Sequence, residues 1–396
     1  MNIHIVLYSQ LDGVGGGRET WLRYFLPALR QSKAAESIHV YCLPKTQLVD
    51  PSLRVVVSAN AALHECGARQ GRFSRGLAGS VAFAWSVHKS LRMSAEPGDV
   101  VVLVGTIVEG IVGLATRRLA VSRRLRIAVW VRSLGIGEIS TRHSRPYVVA
   151  ASCIEQRLLT DVADIVIANG SDTQEYYCHR YPRVLPKMLC IPNAVDTERF
   201  SSVPDIEWSQ RHRIRVAYVG RFNKSRGFDQ FLACVRAITT RSDGSVEFDF
   251  GAWGYGELPE TLPSHVTYHG PVLPDELPTV LASNDVVVFL NRSAGGLAGG
   301  LSHGLLEAMA AGRLIVAWDN PAHNQVLNCA NSITVPEGDI SGLANVLLTI
   351  VQRDPAFLHR LCQAARRTAD DHSVSGHLHR FIESLDRLGV IDSAMR

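Results

Sequence analysis

Tyr218-Val219-Gly220-Arg221-Phe222-Asn223-Lys224-Ser225-Arg226-Gly227 ends one apolar run, Arg215–Val219, and leads directly into a helical pattern, Phe228–Ala237. A β-rich run that stays apolar at consecutive positions is buried on both faces, as a strand in a parallel sheet is. A parallel strand needs a crossover before the next one, and the helical pattern supplies it. What decides the fold is whether this strand–loop–helix unit recurs along the chain.

It recurs in two series. Ile3–Leu7, Ile38–Cys42, Val55–Val57, Val100–Val104, Ile127–Val131, Ile165–Ala168 and Met188–Ile191 form the first. Arg215–Val219, Val246–Phe250, Val266–His269, Val286–Leu290, Leu314–Ala317 and Ile333–Val335 form the second. Helical patterns such as Glu19–Arg30, Glu155–Val162 and Leu305–Ala311 fall between them. Two series predict an α/β protein of two doubly wound, Rossmann-like domains, with a cleft between them. The polar stretch Asp196–Arg213 lacks periodicity and marks the join, giving domains over 1–200 and 201–374. A length of 396 residues suits two domains better than one.

Composition narrows the class. With 46% hydrophobic and 20% charged residues the chain reads as a folded globular protein. A net charge of +4 gives no reason to expect a nucleic-acid partner. The charge is uneven, however. Residues 1–200 hold 24 Lys/Arg against 16 Asp/Glu, whereas residues 201–396 hold 17 against 21. The eight cysteines are scattered without a CxxC pair, and no histidine cluster has zinc spacing, so neither a disulfide frame nor a metal site is expected. Strand-like sequence begins at Ile3, and the most apolar stretch, Val100–Ala115, contains Glu109 and is too short to span a membrane. The expected location is cytoplasmic.

Ligands of open α/β sheets lie beyond the carboxyl ends of the strands, so chemistry is sought in the post-strand loops. Three stand out. Asp12-Gly13-Val14-Gly15-Gly16-Gly17-Arg18-Glu19 follows the first strand, and its glycines let backbone amides approach an anion at a helix start. Arg18 breaks the dinucleotide fingerprint there, which disfavours an oxidoreductase. Around Arg221 three cations stand within six residues after a strand, an arrangement able to grip a diphosphate. The third loop, Gly295 to Gly304, precedes a helix carrying Glu307, a carboxylate able to accept both hydrogen bonds of a ribose diol. Taken singly, each has a plainer explanation: a turn, a solvated basic loop, a helix-dipole partner.

Together they resemble a family. Val219-Gly220-Arg221 with Arg226-Gly227-Phe228-Asp229, Ile191-Pro192-Asn193-Ala194-Val195-Asp196, and Leu306-Glu307-Ala308-Met309-Ala310-Ala311-Gly312 are similar, in order and spacing, to glycosyltransferase family 4. The resemblance runs from Gly16-Gly17-Arg18-Glu19 to the terminal helix, and implies retaining transferases of the GT-B fold. It implies that Arg221 and Arg226 hold the diphosphate of a UDP- or GDP-sugar, and that Glu307 grips its ribose. Gly220 and the backbone of Gly300, Leu301, Ser302 and His303 would complete the donor site. Gly15, Gly16 and Gly17 would approach phosphate and acceptor, and helix 375–396 would pack back on the first domain.

Two positions depart from the family pattern. The first acid of its Glu-x7-Glu motif falls on Gly299, so amides of Gly300–His303, or His303 itself, are the alternatives for the sugar hydroxyls. The histidine usual after the strand at 127–131 is missing, which leaves Arg132, Ser133 or His143 as acceptor-side candidates.

The resemblance implies that the leaving diphosphate oxygen takes the acceptor proton on the face it departs from. The requirement is stabilised leaving-group charge, with no paired carboxylates, no cofactor and no metal. The acceptor class stays open among a glycan, a lipid-linked glycan and a small molecule. A rival of another kind is a catalytically silent nucleotide-sugar binder, favoured by Gly299. Arg117, Arg118, Arg123, Arg124 and Arg126, interleaved with Leu and Val, are either a solvated face or a contact with anionic membrane at its inner face.

Overall fold

The computed structural model describes residues 1–11, 16–44, 51–67, 76–140, 143–210, 213–241, 247–293 and 299–389. They fall into two compact units, Met1–Asn193 with Val374–Arg396, and Ala194–Ser373.

The first unit runs β1 (Asn2–Val6), α1 (Gly17–Ser32), β2 (Ser37–Cys42), α2 (Ser52–Asn60), β3 (Ala62–Glu65), α3 (Gly76–Ser94), β4 (Val100–Leu103), α4 (Val108–Arg123), β5 (Arg126–Val131), α5 (Gly135–Ser140), α6 (Arg145–Arg157), β6 (Ile165–Ala168), α7 (Ser171–Arg180) and β7 (Met188–Cys190). All seven strands pair in parallel, in the order β3-β2-β1-β4-β5-β6-β7. Alternate residues of each strand serve opposite faces. Ile3, Ile5, Val40, Val102 and Trp130 pack towards α1, while Val6, Tyr41, Val101, Leu103 and Val129 pack towards α3 and α4. That double burial is why the strands read as unbroken apolar runs.

The second unit runs β8 (Arg213–Val219), α8 (Phe228–Arg241), β9 (Glu247–Trp253), β10 (Val266–Gly270), α9 (Leu277–Ala282), β11 (Val286–Phe289), α10 (His303–Ala310), β12 (Leu314–Asp319), β13 (Ile333–Pro336), α11 (Ile340–Leu348) and α12 (Pro355–Asp370). Its six parallel strands are ordered β10-β9-β8-β11-β12-β13. The chain then ends in α13 (Val374–Asp386). Phe381 of α13 stacks against Trp130 and meets Phe25 edge-on, so this helix belongs to the core of the first unit.

Two expectations are corrected. Val55–Val57 is not a strand but part of α2, and β3 follows it. Leu53 and Val57 are buried one helical turn apart while Val55 is exposed, a helical period that three adjacent valines conceal. The domain join is also earlier than 200/201. Val195, Phe200 and Val203 pack with Ala217, Val287 and Leu306 in the second core, and the Val195 N–H donates to His372 O at 3.0 Å. The chain therefore changes unit at 193/194 and again at 373/374.

Candidate functional site

In each sheet the strand order reverses once: between β1 and β4 in the first unit, and between β8 and β11 in the second. Loops leaving neighbouring strands diverge at such a point and leave room for a ligand at the carboxyl edge. All three sequence motifs follow one of these strands.

In the second unit, the loop after β8 is built by hydrogen bonds. Gly220 N–H donates to Trp253 O at 2.9 Å and Phe222 N–H to Tyr255 O at 2.8 Å, extending the β8–β9 pairing beyond the sheet. Asn223 caps the turn Lys224–Arg226, its Oδ1 accepting from Arg226 N–H and from the Ser225 hydroxyl, both at 2.9 Å. Tyr218 lies beneath. Its hydroxyl stands 2.9 Å from the carbonyl of Arg221 and 3.1 Å from that of Arg226. Burial pushes this phenol well above its usual range, so it stays a donor.

Gly227 brings the turn against β11. Its φ of +71° is in the left-handed region, and a Cβ there would come within 2.1 Å of the Leu290 carbonyl oxygen. Only glycine fits. Arg292 N–H donates to Ser225 O at 3.0 Å, so the loops after β8 and β11 are joined through their backbones. The Arg221 side chain is exposed and that of Arg226 half-buried.

Glu307 is buried in α10, the helix that follows β11. Arg226 and Glu307 thus belong to loop–helix units of adjacent strands that open at one edge of one sheet. Gly300 has a φ of +80°, Leu301 is buried in the core, and Ser302 stands at the N-cap of α10. His303, in the first turn, places Nδ1 3.0 Å from Ala194 O. A carbonyl only accepts, so Nδ1 carries the proton. Gly295 and Gly296 of this loop lie outside the described residues.

Sequence reasoning missed a second ring of residues below this edge. Glu337, after β13, accepts from the Ser293 N–H, from the Ser293 hydroxyl at 2.6 Å and from Asn320 Nδ2 at 2.9 Å. Asn320 also donates to Asn291 O at 2.8 Å. One carboxylate thereby ties the ends of β11, β12 and β13. His323 is buried, with Nδ1 2.9 Å from Trp318 O, and burial chiefly, with the nearby Arg226 charge, pulls it down to about 4. It is a neutral imidazole at physiological pH.

In the first unit the loop after β1 is held by two acids. Glu19 accepts from Gly16 N–H at 2.8 Å and from the Ser9 hydroxyl. Glu109, buried at the start of α4, accepts from Tyr8 N–H at 2.9 Å and from Arg18 at 3.0 Å. Gly105, with φ +141°, would otherwise drive a Cβ to 2.5 Å from that carboxylate. The lone acid in the apolar run Val100–Ala115 was the available signal. Gly16 and Gly17 sit at the entrance to α1; Gly15 lies outside the described residues.

Of the acceptor-side candidates, Arg132 joins this loop and His143 does not. The Arg132 guanidinium donates to Gly17 O at 2.9 Å and lies 5.4 Å from the Trp21 ring. Burial, then the charge of Arg18, pulls it down to about 9. The carbonyl of Ser133 accepts from Tyr177, which fixes this segment. His143 is exposed and packs its ring 4.5 Å from Tyr147. Among the described residues no His/Cys/Asp/Glu group is arranged to hold a metal ion.

Comparison with known proteins gives a consistent result. Residues 213–353 match the family described as Glycosyl transferases group 1. The chain is 28% identical over 207 residues to a phosphatidyl-myo-inositol mannosyltransferase of Mycolicibacterium smegmatis, covering 50% of this chain and 53% of that protein. It is 30% identical over 178 residues to a GDP-mannose-dependent alpha-(1-6)-phosphatidylinositol monomannoside mannosyltransferase of Mycobacterium tuberculosis, covering 41% and 46%. The matched region spans about half the length of these relatives. In fold it is similar to sucrose-phosphate synthase of Thermosynechococcus elongatus, with a TM-score of 0.75 at 15% identity over 98% of this chain and 99% of that one. Anabaena Alr3699/HepE in complex with UDP and glucose gives 0.71 at 15% identity over 97% and 99%.

Proposed function

We propose that this chain, a group 1 glycosyltransferase of the GT-B fold, moves a sugar from a nucleoside-diphosphate sugar to an acceptor hydroxyl with retention at the anomeric carbon. The observation that carries the reading is the joined pair of loops after β8 and β11. They bring two guanidinium-bearing residues and the helix of Glu307 to one edge, at the point where the strand order reverses.

In this reading Arg221 and Arg226 bind the diphosphate, and their charge is felt most as the glycosidic bond breaks. The bond from the anomeric carbon to the leaving oxygen lengthens, and negative charge collects on that oxygen. It takes the proton of the acceptor hydroxyl while the new bond forms on the same face. Fixed cations lower the energy of this state without reorganising. Glu307 accepts from the two ribose hydroxyls and sets the register of the donor, and amides of Gly300 to His303 reach the sugar. Gly16 and Gly17, with Arg132 behind them, line the acceptor side. Fixed cations doing this work, the reaction needs neither metal nor cofactor.

The relatives named above act on phosphatidylinositol or its mannoside by name, and one uses GDP-mannose. This favours a GDP- or UDP-hexose donor and a glycolipid acceptor over a free glycan or small molecule. Gly299, where the family carries an acid, supports a second reading, a silent nucleotide-sugar binder. Incubation with a panel of UDP- and GDP-sugars separates the two: a transferase releases nucleoside diphosphate slowly even without acceptor. Binding without any release leaves only the silent reading.

A further inference from the structure

We infer that Glu155 is a positioning residue: held as the neutral acid, it fixes the loop after β5 through the Tyr177 hydroxyl. The inference rests on the function proposed above only in calling that loop, Arg132 to Gly135, the acceptor side.

Glu155 of α6 has no exposed surface. Its Oε2 stands 2.7 Å from the Thr106 hydroxyl and 3.1 Å from that of Tyr177, and its Oε1 stands 3.1 Å from the Tyr181 hydroxyl. The Tyr177 hydroxyl also stands 3.1 Å from the Ser133 carbonyl oxygen. These are four oxygen–oxygen contacts, and each needs a proton between its two atoms. Thr106, Tyr177 and Tyr181 supply three, and the Ser133 carbonyl has none to give. The fourth comes from Glu155. Gly135 N–H, which donates to Tyr177 at 3.3 Å, and Arg180 Nε, which donates to Tyr181 at 3.0 Å, bring their own protons and leave the count unchanged. An ionised Glu155 would leave one pair of buried oxygens facing each other bare, a costly state away from water. Burial also pushes this carboxyl above its usual range, against the hydrogen bonds of Thr106, Tyr181 and Tyr177 and the charge of Arg180.

The loop after β5 is seated on this acid. Tyr177 takes hold of it twice, at the Ser133 carbonyl and the Gly135 N–H. A Cβ on Gly135 would come within 2.8 Å of the Thr106 hydroxyl and 3.2 Å of Glu155 Oε2, so only glycine lets the chain lie this close. Arg132, one residue before Ser133, reaches the Gly17 carbonyl at 2.9 Å, and its own carbonyl accepts from Asn169 Nδ2 at 3.3 Å. With Glu155 neutral, Tyr177 donates to Ser133. With Glu155 ionised, the phenol proton turns to the carboxylate and the loop loses that tie. Burial holds the neighbouring phenols of Tyr176, Tyr177 and Tyr181 above their usual range and Arg180 stays charged, so Glu155 is the member of this set that ionises first as pH rises.

Three measurements on the full chain test the inference. Infrared difference spectra of wild type against Glu155→Gln at neutral pH should show the carbonyl stretch of a protonated carboxylic acid. A carboxylate band in its place overturns the inference. Tyr177→Phe keeps the ring and removes the hydroxyl, and amide exchange at Gly135 should then quicken about ten-fold. Unchanged exchange overturns it as well. In steady-state transfer, Tyr177→Phe should raise acceptor KM about ten-fold and leave donor KM unchanged. Glu155→Gln has an N–H where the acid has its O–H; it should stay near wild type and lose the rise of acceptor KM with alkali. Equal changes in both KM values, or a Gln variant as impaired as Tyr177→Phe, would mark a merely structural acid. Absence of transfer by the wild type strikes the function proposed above instead, and the first two measurements still decide the proton and the loop.

Discussion

Tyr218 holds Arg226 by its backbone: the buried phenol lies 3.1 Å from the Arg226 carbonyl, and 2.9 Å from that of Arg221, which precedes the turn. One strand residue therefore fixes the frame from which both cationic side chains project. Tyr218→Phe keeps the packing against Phe228 and Phe231 and removes only this link. The expected loss is about 1–2 kcal/mol of stability, the usual cost of leaving buried carbonyls without their donor. Donor KM should rise with little change in kcat. Denaturant melts and steady-state kinetics check both.

Arg221→Ala is expected to lower turnover by about two to three orders of magnitude, as loss of a charged transition-state contact does elsewhere. The side chain is exposed, so folding should be untouched. Turnover like that of the wild type would remove Arg221 from the reaction.

Glu307→Gln is expected to weaken binding of the nucleoside diphosphate about ten-fold or more, because hydrogen bonds to a charged acceptor are the strong ones. A 2′-deoxynucleotide supplies the cross-check by titration calorimetry. It should bind the wild-type chain less well than the ribonucleotide, and the variant should scarcely distinguish the two.

Glu337→Ala removes the carboxylate shared by Ser293 and Asn320. It should cost about 2–3 kcal/mol of stability, since an N–H, a hydroxyl and an amide lose one acceptor together. Thermal unfolding with and without nucleotide measures it, and an unchanged melting temperature would contradict the proposed tie between β11, β12 and β13.

Acid should loosen the first unit before it protonates most carboxylates. His4 and His39 stack at 4.8 Å, and His39 meets His64 at 3.0 Å between ring nitrogens. Burial foremost, then the neighbouring imidazoles, lowers His39 to about 4, and burial lowers His64 as well. The folded values lie below the unfolded one near 6.5, so the unfolded chain binds more protons in this window. Stability is then full above about 6.5 and falls as pH drops towards 4. A series of melting temperatures across this range should show the fall, and His39→Asn should flatten it.

The strands and the loops after them were legible because burial on both faces imposes unbroken apolar runs, and because glycine and arginine stand out immediately after them. That pattern put Arg221 and Arg226 in the loop after one strand and Glu307 in the helix after another; that the two strands are neighbours came only with the fold. Glu337 could not: its partners Ser293 and Asn320 stand 44 and 17 residues away, and no local period announces such a contact. Glu109 was visible as an acid in an apolar run, but its tie to Tyr8 spans 101 residues. α2 was misread because consecutive β-branched residues suit a strand, whereas packing of Leu53 and Val57 against the core chose a helix. His143 was weighed for its residue type; that it lies exposed against Tyr147 while Arg132 is tied to the Gly17 carbonyl is a matter of contacts the sequence does not carry.

The last helix has a consequence for the order in which the protein is completed. His377 donates to Pro192 O at 2.7 Å and accepts from Trp21 at 3.1 Å, filling a place in the first unit that stays open until residue 377 has been made. The second unit, Ala194–Ser373, is continuous and meets all its partners earlier. During synthesis Trp21, Phe25 and Trp130 are therefore made long before the helix that covers them, with the whole of Ala194–Ser373 coming in between.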